Sequence, residues 1–267
     1  MRYKPWLFIL LTFIFTWSIE IPAALYKHGL SGAKIPNGLQ TFSTLAPGIV
    51  AIFLSLVFGG IKNLKKFLFQ LIITKRPIKW YVISIFTGIF ITGFSLLIFS
   101  WILNHFYTPD NISNLFFLFL ILFFFSPLWE ELGWRGYLLP SLGEKISPLK
   151  SSLIIGCIWG LWHLPIYMAI NPFGDETFKF FIFIFIGCFP LSIIQTWIYN
   201  STKGSLLFCI LFHDSVNVGV TYFFSNIKGN EMRPFEISVG LFIVIAGIIL
   251  YRTKGLLGDR KNGVTLD

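Results

Sequence analysis

The sequence predicts an all-α, polytopic membrane helix bundle with about eight transmembrane helices and one or two interfacial amphipathic helices. Of the 267 residues, 55% are hydrophobic and only 12% are charged, whereas a soluble domain carries about 25% charged residues. The hydrophobic residues also form long runs, each close to the length of about 20 residues that a helix needs to cross the bilayer core. We therefore expect a single multi-pass membrane domain over residues 1–267.

Eight apolar runs are long enough to cross a membrane. They lie at about 5–26, 42–60, 80–103, 112–134, 152–170, 178–199, 205–224 and 235–251. The first run follows a basic start, as in a secretory signal peptide, but its length favours an uncleaved helix over cleavage after Ala24. The mixed basic and apolar stretch 62–80 predicts an interfacial amphipathic helix, and 136–146 predicts a shorter one.

The basic residues lie mostly in short segments between the runs, and their distribution predicts the orientation. The connection after the second run holds Lys62, Lys65, Lys66, Lys75, Arg76 and Lys79. Because cytoplasmic loops carry an excess of Lys and Arg, we expect this loop and both chain termini on the cytoplasmic side of the cell membrane. This pattern, together with contact with anionic membrane lipids, explains the net charge of +9. No nucleic-acid partner is expected.

Five isolated residues in or beside the runs are interpreted as structural. Cys157, Cys188 and Cys209 all lie within apolar runs and have neither zinc-finger nor disulfide-framework spacing. We expect them to be small buried hydrophobic residues. Glu20 and His28 have no evident partner in the sequence and are expected to lie at the membrane interface.

The fourth run leads into charged residues, and this change is the main functional signal of the sequence. Glu130, Glu131 and Arg135 follow the apolar stretch 115–125, and ionisable residues at membrane depth indicate function by default. On a helix, Glu131 and Arg135 lie four residues apart with the acid first, which predicts a structural salt bridge. Glu130 is rotated by about 100° from Glu131 and has no cation in reach. An unpaired carboxylate in a poorly hydrated place is suited to proton transfer.

Two other runs carry polar residues that could meet this carboxylate. His163 lies in the fifth run, and His213 and Asn217 lie four residues apart on one face of the seventh. With a rise of about 1.5 Å per residue, both histidines and Asn217 reach the same layer as Glu130, which we expect in the cytoplasmic half of the membrane. A carboxylate, two imidazoles and a carboxamide from three helices are therefore predicted to converge.

Several of these residues also have a purely structural interpretation when taken singly. A lone His in a membrane helix is commonly a core residue bonded to a carbonyl group, and Asn217 alone is typical of an interhelical contact. Trp159 and Trp162 are expected to be packing residues. Asp214 is interpreted either as an active-site acid or as a residue solvated in a cavity.

Three motifs in this order resemble those of the CPBP intramembrane proteases. They are EELGWRGYLLP at 130–140, WGLWHLP at 159–165 and FHDSVN at 212–217. The family, also called Abi, includes the type II CAAX prenyl endopeptidase and bacteriocin-processing or self-immunity proteins. The similarity covers about 46–217, which places a protease-like core at about 46–225. The departures are Trp159, where Phe is common, and Asp214, where a small residue is frequent.

The resemblance implies an intramembrane endopeptidase that cuts a membrane-associated peptide or protein near the cytoplasmic face. Glu130 would be the catalytic acid and base, and His163 would help it to activate a water molecule. His213 and Asn217 would stabilise the oxyanion. No Ser or Cys lies beside a His in the sequence, which favours attack by water over a covalent nucleophile.

Other assignments stay open at this stage. His163, His213 and Glu130 could hold zinc with an open position for water, although the HExxH signature is absent, and sites with and without zinc are equal alternatives. A non-catalytic bacteriocin self-immunity protein and a transporter or proton relay are alternative functions. The sequence has no repeated halves of the kind that many transporters show. It defines neither the oligomeric state nor prenylation of the substrate.

Overall fold

A computed structural model describes residues 4–32, 34–107, 114–170, 175–225, 227 and 233–258. Its α-helices are α1 Pro5–Lys27, α2 Asn37–Ser43, α3 Ala46–Phe69, α4 Ile78–Ile102, α5 Asn114–Phe125, α6 Pro127–Glu131, α7 Leu139–Gly143, α8 Pro148–Trp162, α9 Leu164–Ile170, α10 Asp175–Ser201, α11 Leu206–Phe224 and α12 Arg233–Thr253. The described residues contain no strand.

Within the described residues, eight helical stretches are long and apolar enough to cross a membrane, which confirms the predicted polytopic all-α bundle. The stretches differ from the predicted runs by a few residues at most ends. Two ends differ more strongly: the second stretch, Ala46–Ile72, and the fourth, Leu115–Gly143, both end later than predicted. The predicted start of the fourth run at Ile112 lies outside the described residues, as do the residues before Lys4 and after Gly258.

Two clusters of buried side chains hold the helices together. The first joins α1, α3, α8 and the α6–α7 region, with a few residues of α10 and α11 at its edge, and includes Phe8, Trp134 and Trp162. The second joins α4, α10, α11 and α12 and includes Phe212 and Phe242. Lipid is as apolar as these side chains, so close packing rather than removal from water holds membrane helices together. We call the boundary between the two clusters the seam. A cavity can form there without exposing either cluster.

The predicted interfacial helix is a continuation of α3 beyond a kink. Gly60 adopts φ 65° and ψ −177° inside this helix, a conformation that glycine tolerates because it lacks a Cβ atom. Beyond the kink, Lys62 and Lys65 are not buried whereas Phe67 is buried. The segment is therefore amphipathic, as predicted.

The fourth run is not one helix, contrary to the prediction. It breaks at Ser126, where φ is −140° and ψ is −75°, and Pro127 then opens α6. Proline lacks an N–H group and disfavours the helical conformation of the residue before it, which accounts for the break. After Glu131 the chain forms a π-helical turn over Leu132–Leu138 before α7. Such turns are frequent at functional sites.

The short interfacial helix predicted at 136–146 was wrong. Gly136, Tyr137 and Leu138 are buried in the first cluster, and the Tyr137 ring stacks on Phe8 with centroids 5.2 Å apart. The segment is covered because α1 and α3 both pack over the π-helical turn.

Glu20 and His28 both have partners that the sequence does not reveal, and the burial of Glu20 contradicts its interfacial placement. Glu20 is buried, and its Oε1 accepts a hydrogen bond from the Ser43 hydroxyl. The Nε2 atom of His28 is hydrogen-bonded to the carbonyl oxygen of Met168 at 2.9 Å. Both partners belong to segments that fold back over α1 from other parts of the sequence.

The three cysteines are free thiols. Cys188 and Cys209 are buried and Cys157 is half-buried, which confirms their interpretation as small core residues.

Candidate active site

A cavity of about 340 Å³ lies at the seam between the two clusters. Residues of α6, α8 and α9 line one side, and residues of α10, α11 and α12 line the other. Its lining includes Glu130, His163, His213 and Asn217. The structure thus brings the four side chains singled out in the sequence to one cavity, as expected. Their catalytic roles stay predictions.

Glu130 is fixed in the cavity wall by two hydrogen bonds. Only 4% of the residue is exposed. Its Oε1 accepts from the Ser126 hydroxyl at 2.9 Å, and its Oε2 accepts from the indole N–H of Trp159 at 2.7 Å. Hydrogen bonds to an ionised acceptor are short and strong, so the carboxylate is held in one orientation beside the cavity.

Glu131 points away from the cavity into the core. It is fully buried, and its Oε1 accepts from Nη1 of Arg135 at 2.9 Å, which confirms the predicted structural pair. The same oxygen accepts from Nδ1 of His213 at 2.8 Å. The sequence pattern did not reveal this third member, which lies 82 residues further along the chain.

The two imidazoles are both oriented through Nδ1. His213 uses Nδ1 for Glu131, and His163 uses Nδ1 for the carbonyl oxygen of Trp159 at 2.8 Å. Because a carboxylate and a carbonyl oxygen only accept, both Nδ1 atoms carry a proton. A neutral imidazole in this tautomer therefore keeps a lone pair at Nε2, and a protonated imidazole offers an N–H there.

Trp159 is buried in the first cluster, as expected for a packing residue, and it also has polar contacts at the site. Its N–H donates to Glu130, and its carbonyl oxygen orients His163. Its ring lies 4.8 Å from the guanidinium carbon of Arg135 and 5.2 Å, edge to face, from the ring of His213. Cation–π contact of this kind stabilises a buried guanidinium group. Trp159 therefore connects the cavity carboxylate, both imidazoles and the buried cation.

Trp162 follows the packing interpretation. Its ring lies 5.9 Å from that of Trp134 and 4.9 Å from that of His163. Its N–H donates to Thr16 at 2.9 Å rather than to the cavity.

Ser126 belongs to the site but was not identified from the sequence. Its hydroxyl donates to Glu130 and accepts from Nδ2 of Asn217 at 3.4 Å, a long and weak contact. The available signal was a single Ser before Pro127 at the end of an apolar run. The residue links the fourth and seventh membrane segments next to the carboxylate.

Asp214 fits neither of its two predicted interpretations. It is fully buried and absent from the cavity lining. Within the described part of the chain, neither carboxylate oxygen has a hydrogen-bond partner. On a helix its side chain is turned by about 100° from that of His213, which directs it away from the cavity.

The residues present do not fit a zinc site with three protein ligands. Among the described residues, no three His, Cys, Asp or Glu side chains form a group that could hold a metal ion. Each oxygen of Glu130 already accepts one hydrogen bond, so a metal ion would have to share this carboxylate with Ser126 and Trp159. Catalytic zinc sites use three protein ligands. The zinc alternative stays a prediction that the geometry of this cavity does not favour.

Comparison with known proteins adds independent information. Residues 112–219, which hold all four cavity residues, match a family model described as Type II CAAX prenyl endopeptidase Rce1-like. CAAX prenyl protease 2 of Methanococcus maripaludis is 28% identical over 271 residues, covering 95% of this chain and 96% of the relative. Over these residues the chain is similar to type II CAAX prenyl endopeptidases. The resemblance predicted from the three motifs is confirmed.

A second match is partial. Lysostaphin resistance protein A of Staphylococcus haemolyticus is 27% identical over 128 residues, which cover 46% of this chain and 33% of that protein. The protein is therefore a multi-pass membrane protein with a CAAX prenyl protease among its relatives.

Proposed function

We propose that the protein is an intramembrane endopeptidase in which Glu130 activates a water molecule. The observation that carries this proposal is the cavity arrangement: a carboxylate held by two donors, with two imidazoles already oriented through Nδ1. A general base must be fixed within reach of the proton that it removes. The relationship to CAAX prenyl protease 2 supports peptide-bond hydrolysis as the reaction.

Glu130 is the base and later the acid of this reaction. It takes a proton from water as the water oxygen bonds to the scissile carbonyl carbon, and negative charge moves to the carbonyl oxygen. It then gives the proton to the leaving nitrogen as the carbon–nitrogen bond breaks. The hydrogen bonds from Ser126 and Trp159 keep the carboxylate in place through both transfers.

His163, His213 and Asn217 surround the reacting water and carbonyl group. Nε2 of His163 is available as a second partner for the water. His213, held by Glu131 through Nδ1, provides an N–H at Nε2 in its protonated form. The amide of Asn217 provides a second N–H for the oxyanion. Donors fixed before the reaction stabilise developing charge without reorganisation.

The test is cleavage of a peptide library by the purified wild-type protein and by Glu130→Gln. General base catalysis contributes about 10²–10⁴-fold, so we expect Glu130→Gln to lose activity to that extent. Glu144→Gln is the matched control, because Glu144 is exposed and does not line the cavity. Equal cleavage by the wild type and Glu130→Gln would refute the proposed function.

A non-catalytic protective role is the second candidate, favoured by the partial match to lysostaphin resistance protein A. In this case the protein shields the cell from a peptide toxin or lytic enzyme without cutting it. The two functions are separated by measuring whether cells that express Glu130→Gln or His163→Ala resist the peptide toxin or lytic enzyme. Full resistance with either variant selects the protective role, whereas loss of resistance with both selects catalysis.

A further inference from the structure

Helix α1 carries a buried polar stripe on an otherwise apolar membrane helix. Thr12, Thr16 and Glu20 lie four residues apart, so they share one face of α1, and all three are buried. Polar side chains on the inner face of a membrane helix commonly form hydrogen bonds with neighbouring helices. The residues that match the family model begin at 112, so this stripe lies outside the region that the three motifs define.

Thr16 joins two other segments through its hydroxyl group. The hydroxyl donates to the carbonyl oxygen of Ser43 at 3.0 Å and accepts from the indole N–H of Trp162 at 2.9 Å. Because a carbonyl oxygen can only accept, the hydroxyl proton points to Ser43 and the lone pairs of the oxygen face the indole. Ser43 is itself held to α1, since its hydroxyl donates to Oε1 of Glu20. Thr16 therefore ties the side chain of Trp162 to a fixed point on α1.

The indole of Trp162 passes this constraint to His163. The two rings are in edge-to-face contact, with centroids 4.9 Å apart and an interplanar angle of 71°. Nδ1 of His163 is hydrogen-bonded to the carbonyl oxygen of Trp159, but one hydrogen bond does not fix the plane of the ring by itself. The indole beside the imidazole limits the rotation that remains. The orientation of Nε2 in the cavity thus depends on a ring that α1 holds.

Thr12 shows which property of Thr16 matters. The two threonines lie one turn apart on the same face, and both are fully buried. Within the described part of the chain, the Thr12 hydroxyl has no hydrogen-bond partner. The two residues therefore share side chain, helix and burial, and they differ in that only Thr16 is bonded to Trp162.

We propose that Thr16 is a positioning residue for His163 and acts through the indole of Trp162. This inference rests on the proposed endopeptidase function, in which Nε2 of His163 is a partner of the reacting water. Buried donors are almost always hydrogen-bonded, so an indole N–H that loses its acceptor turns toward another one. The imidazole then loses the neighbour that confines it, and Nε2 is no longer held beside the water.

The kinetic test compares Thr16→Val, Thr16→Ser and Thr12→Val in the full-length protein. Valine keeps the shape of threonine without the hydroxyl, whereas serine keeps the hydroxyl. We expect kcat for peptide cleavage to fall about tenfold in Thr16→Val, since a misplacement of 1 Å can cost up to about 100-fold. KM should change little, because Thr16 does not line the cavity. Thr16→Ser should restore most of the wild-type kcat, and Thr12→Val should keep it, because it removes no hydrogen bond.

A second readout requires no proteolysis. Diethyl pyrocarbonate reacts with the unprotonated nitrogen of a neutral imidazole, and mass spectrometry of the purified protein measures this reaction at His163. We expect His163 to react faster in Thr16→Val than in the wild type, because its ring is less confined. The rates in Thr16→Ser and Thr12→Val should equal the wild-type rate.

Three results would overturn the proposal. They are an unchanged reaction rate of His163 in Thr16→Val, an unchanged kcat in that variant, and equal losses of kcat in Thr16→Val and Thr12→Val. If Thr16→Val does not accumulate, Trp162→Phe takes its place, because it removes the donor of the same hydrogen bond. If the wild type cleaves no peptide, the endopeptidase function fails, and the reaction rates of His163 still decide whether Thr16 orients this residue.

Discussion

Changing Trp159 to Phe removes one N–H group from Glu130 and leaves an aromatic ring in place. The lost hydrogen bond has a length of 2.7 Å and a charged acceptor. Hydrogen bonds to charged groups contribute about 1.5–3 kcal/mol, and about 1.36 kcal/mol corresponds to a tenfold change in rate. We therefore expect kcat to fall by about 10- to 100-fold. KM should change little, because the ring still fills its place in the cavity wall.

The pH dependence of this variant gives a second and independent readout. Glu130 must be ionised to act as a base, and the indole N–H stabilises its ionised form. Without that donor the carboxylate takes up a proton at higher pH. The acidic limb of the rate profile should therefore move to higher pH in Trp159→Phe, which a merely structural role would not produce.

The assay is peptide cleavage by purified protein across a range of pH, with Trp17→Phe as the matched control. The indole N–H of Trp17 donates at 3.2 Å to the carbonyl oxygen of Trp162. The control therefore removes the same atoms from a neutral hydrogen bond outside the cavity. If Trp159→Phe keeps the wild-type kcat and the wild-type pH profile, the assigned role of this residue in holding Glu130 is wrong.

The remaining predictions concern the support of the site and its chemistry. Glu131→Gln leaves the buried guanidinium of Arg135 without its counter-ion, which costs about 3–5 kcal/mol. The Tm of this variant should therefore fall clearly, and an unchanged Tm would contradict the pairing. Gly133→Ala should also lower Tm, because a Cβ atom there would lie 2.8 Å from backbone atoms of Pro47. Gly240→Ala is the control and should not lower Tm, because a Cβ atom there would have no neighbour within 4 Å. Equal Tm values for the two variants would count against this packing argument. Cleavage should survive treatment with a metal chelator, because no three His, Cys, Asp or Glu side chains among the described residues form a group that could hold a metal ion. Loss of activity together with released zinc would contradict this prediction.

The fold class was predictable because it depends on local properties of the sequence. The length of each apolar run sets the number of membrane-crossing helices. The pair of Glu131 and Arg135 was predictable for the same reason, since residues four apart share one helix face. These features need no knowledge of how the helices are arranged.

The contacts that define the site were not predictable in this way. Trp159 and Glu130 are 29 residues apart, and His213 and Glu131 are 82 apart. Periodicity indicates which face of a helix a residue occupies, but not which helix that face meets. The break at Ser126 is different, because Pro127 is a local signal for it in the sequence.

The adjacent glutamates have different tasks because α3 approaches the chain around them very closely. A Cβ atom at Gly48 would lie 2.8 Å from the Trp129 side chain and from its carbonyl oxygen. This contact fixes α6 against the first cluster, so that one carboxylate faces the core and its neighbour, rotated by about 100°, faces the cavity. Glu131 can then hold both a guanidinium and an imidazole, while Glu130 accepts its hydrogen bonds from a neutral hydroxyl and a neutral indole. An ion pair at Glu130 would stabilise its buried charge further but would weaken it as a base. The site therefore places the neutralising cation on the neighbouring residue.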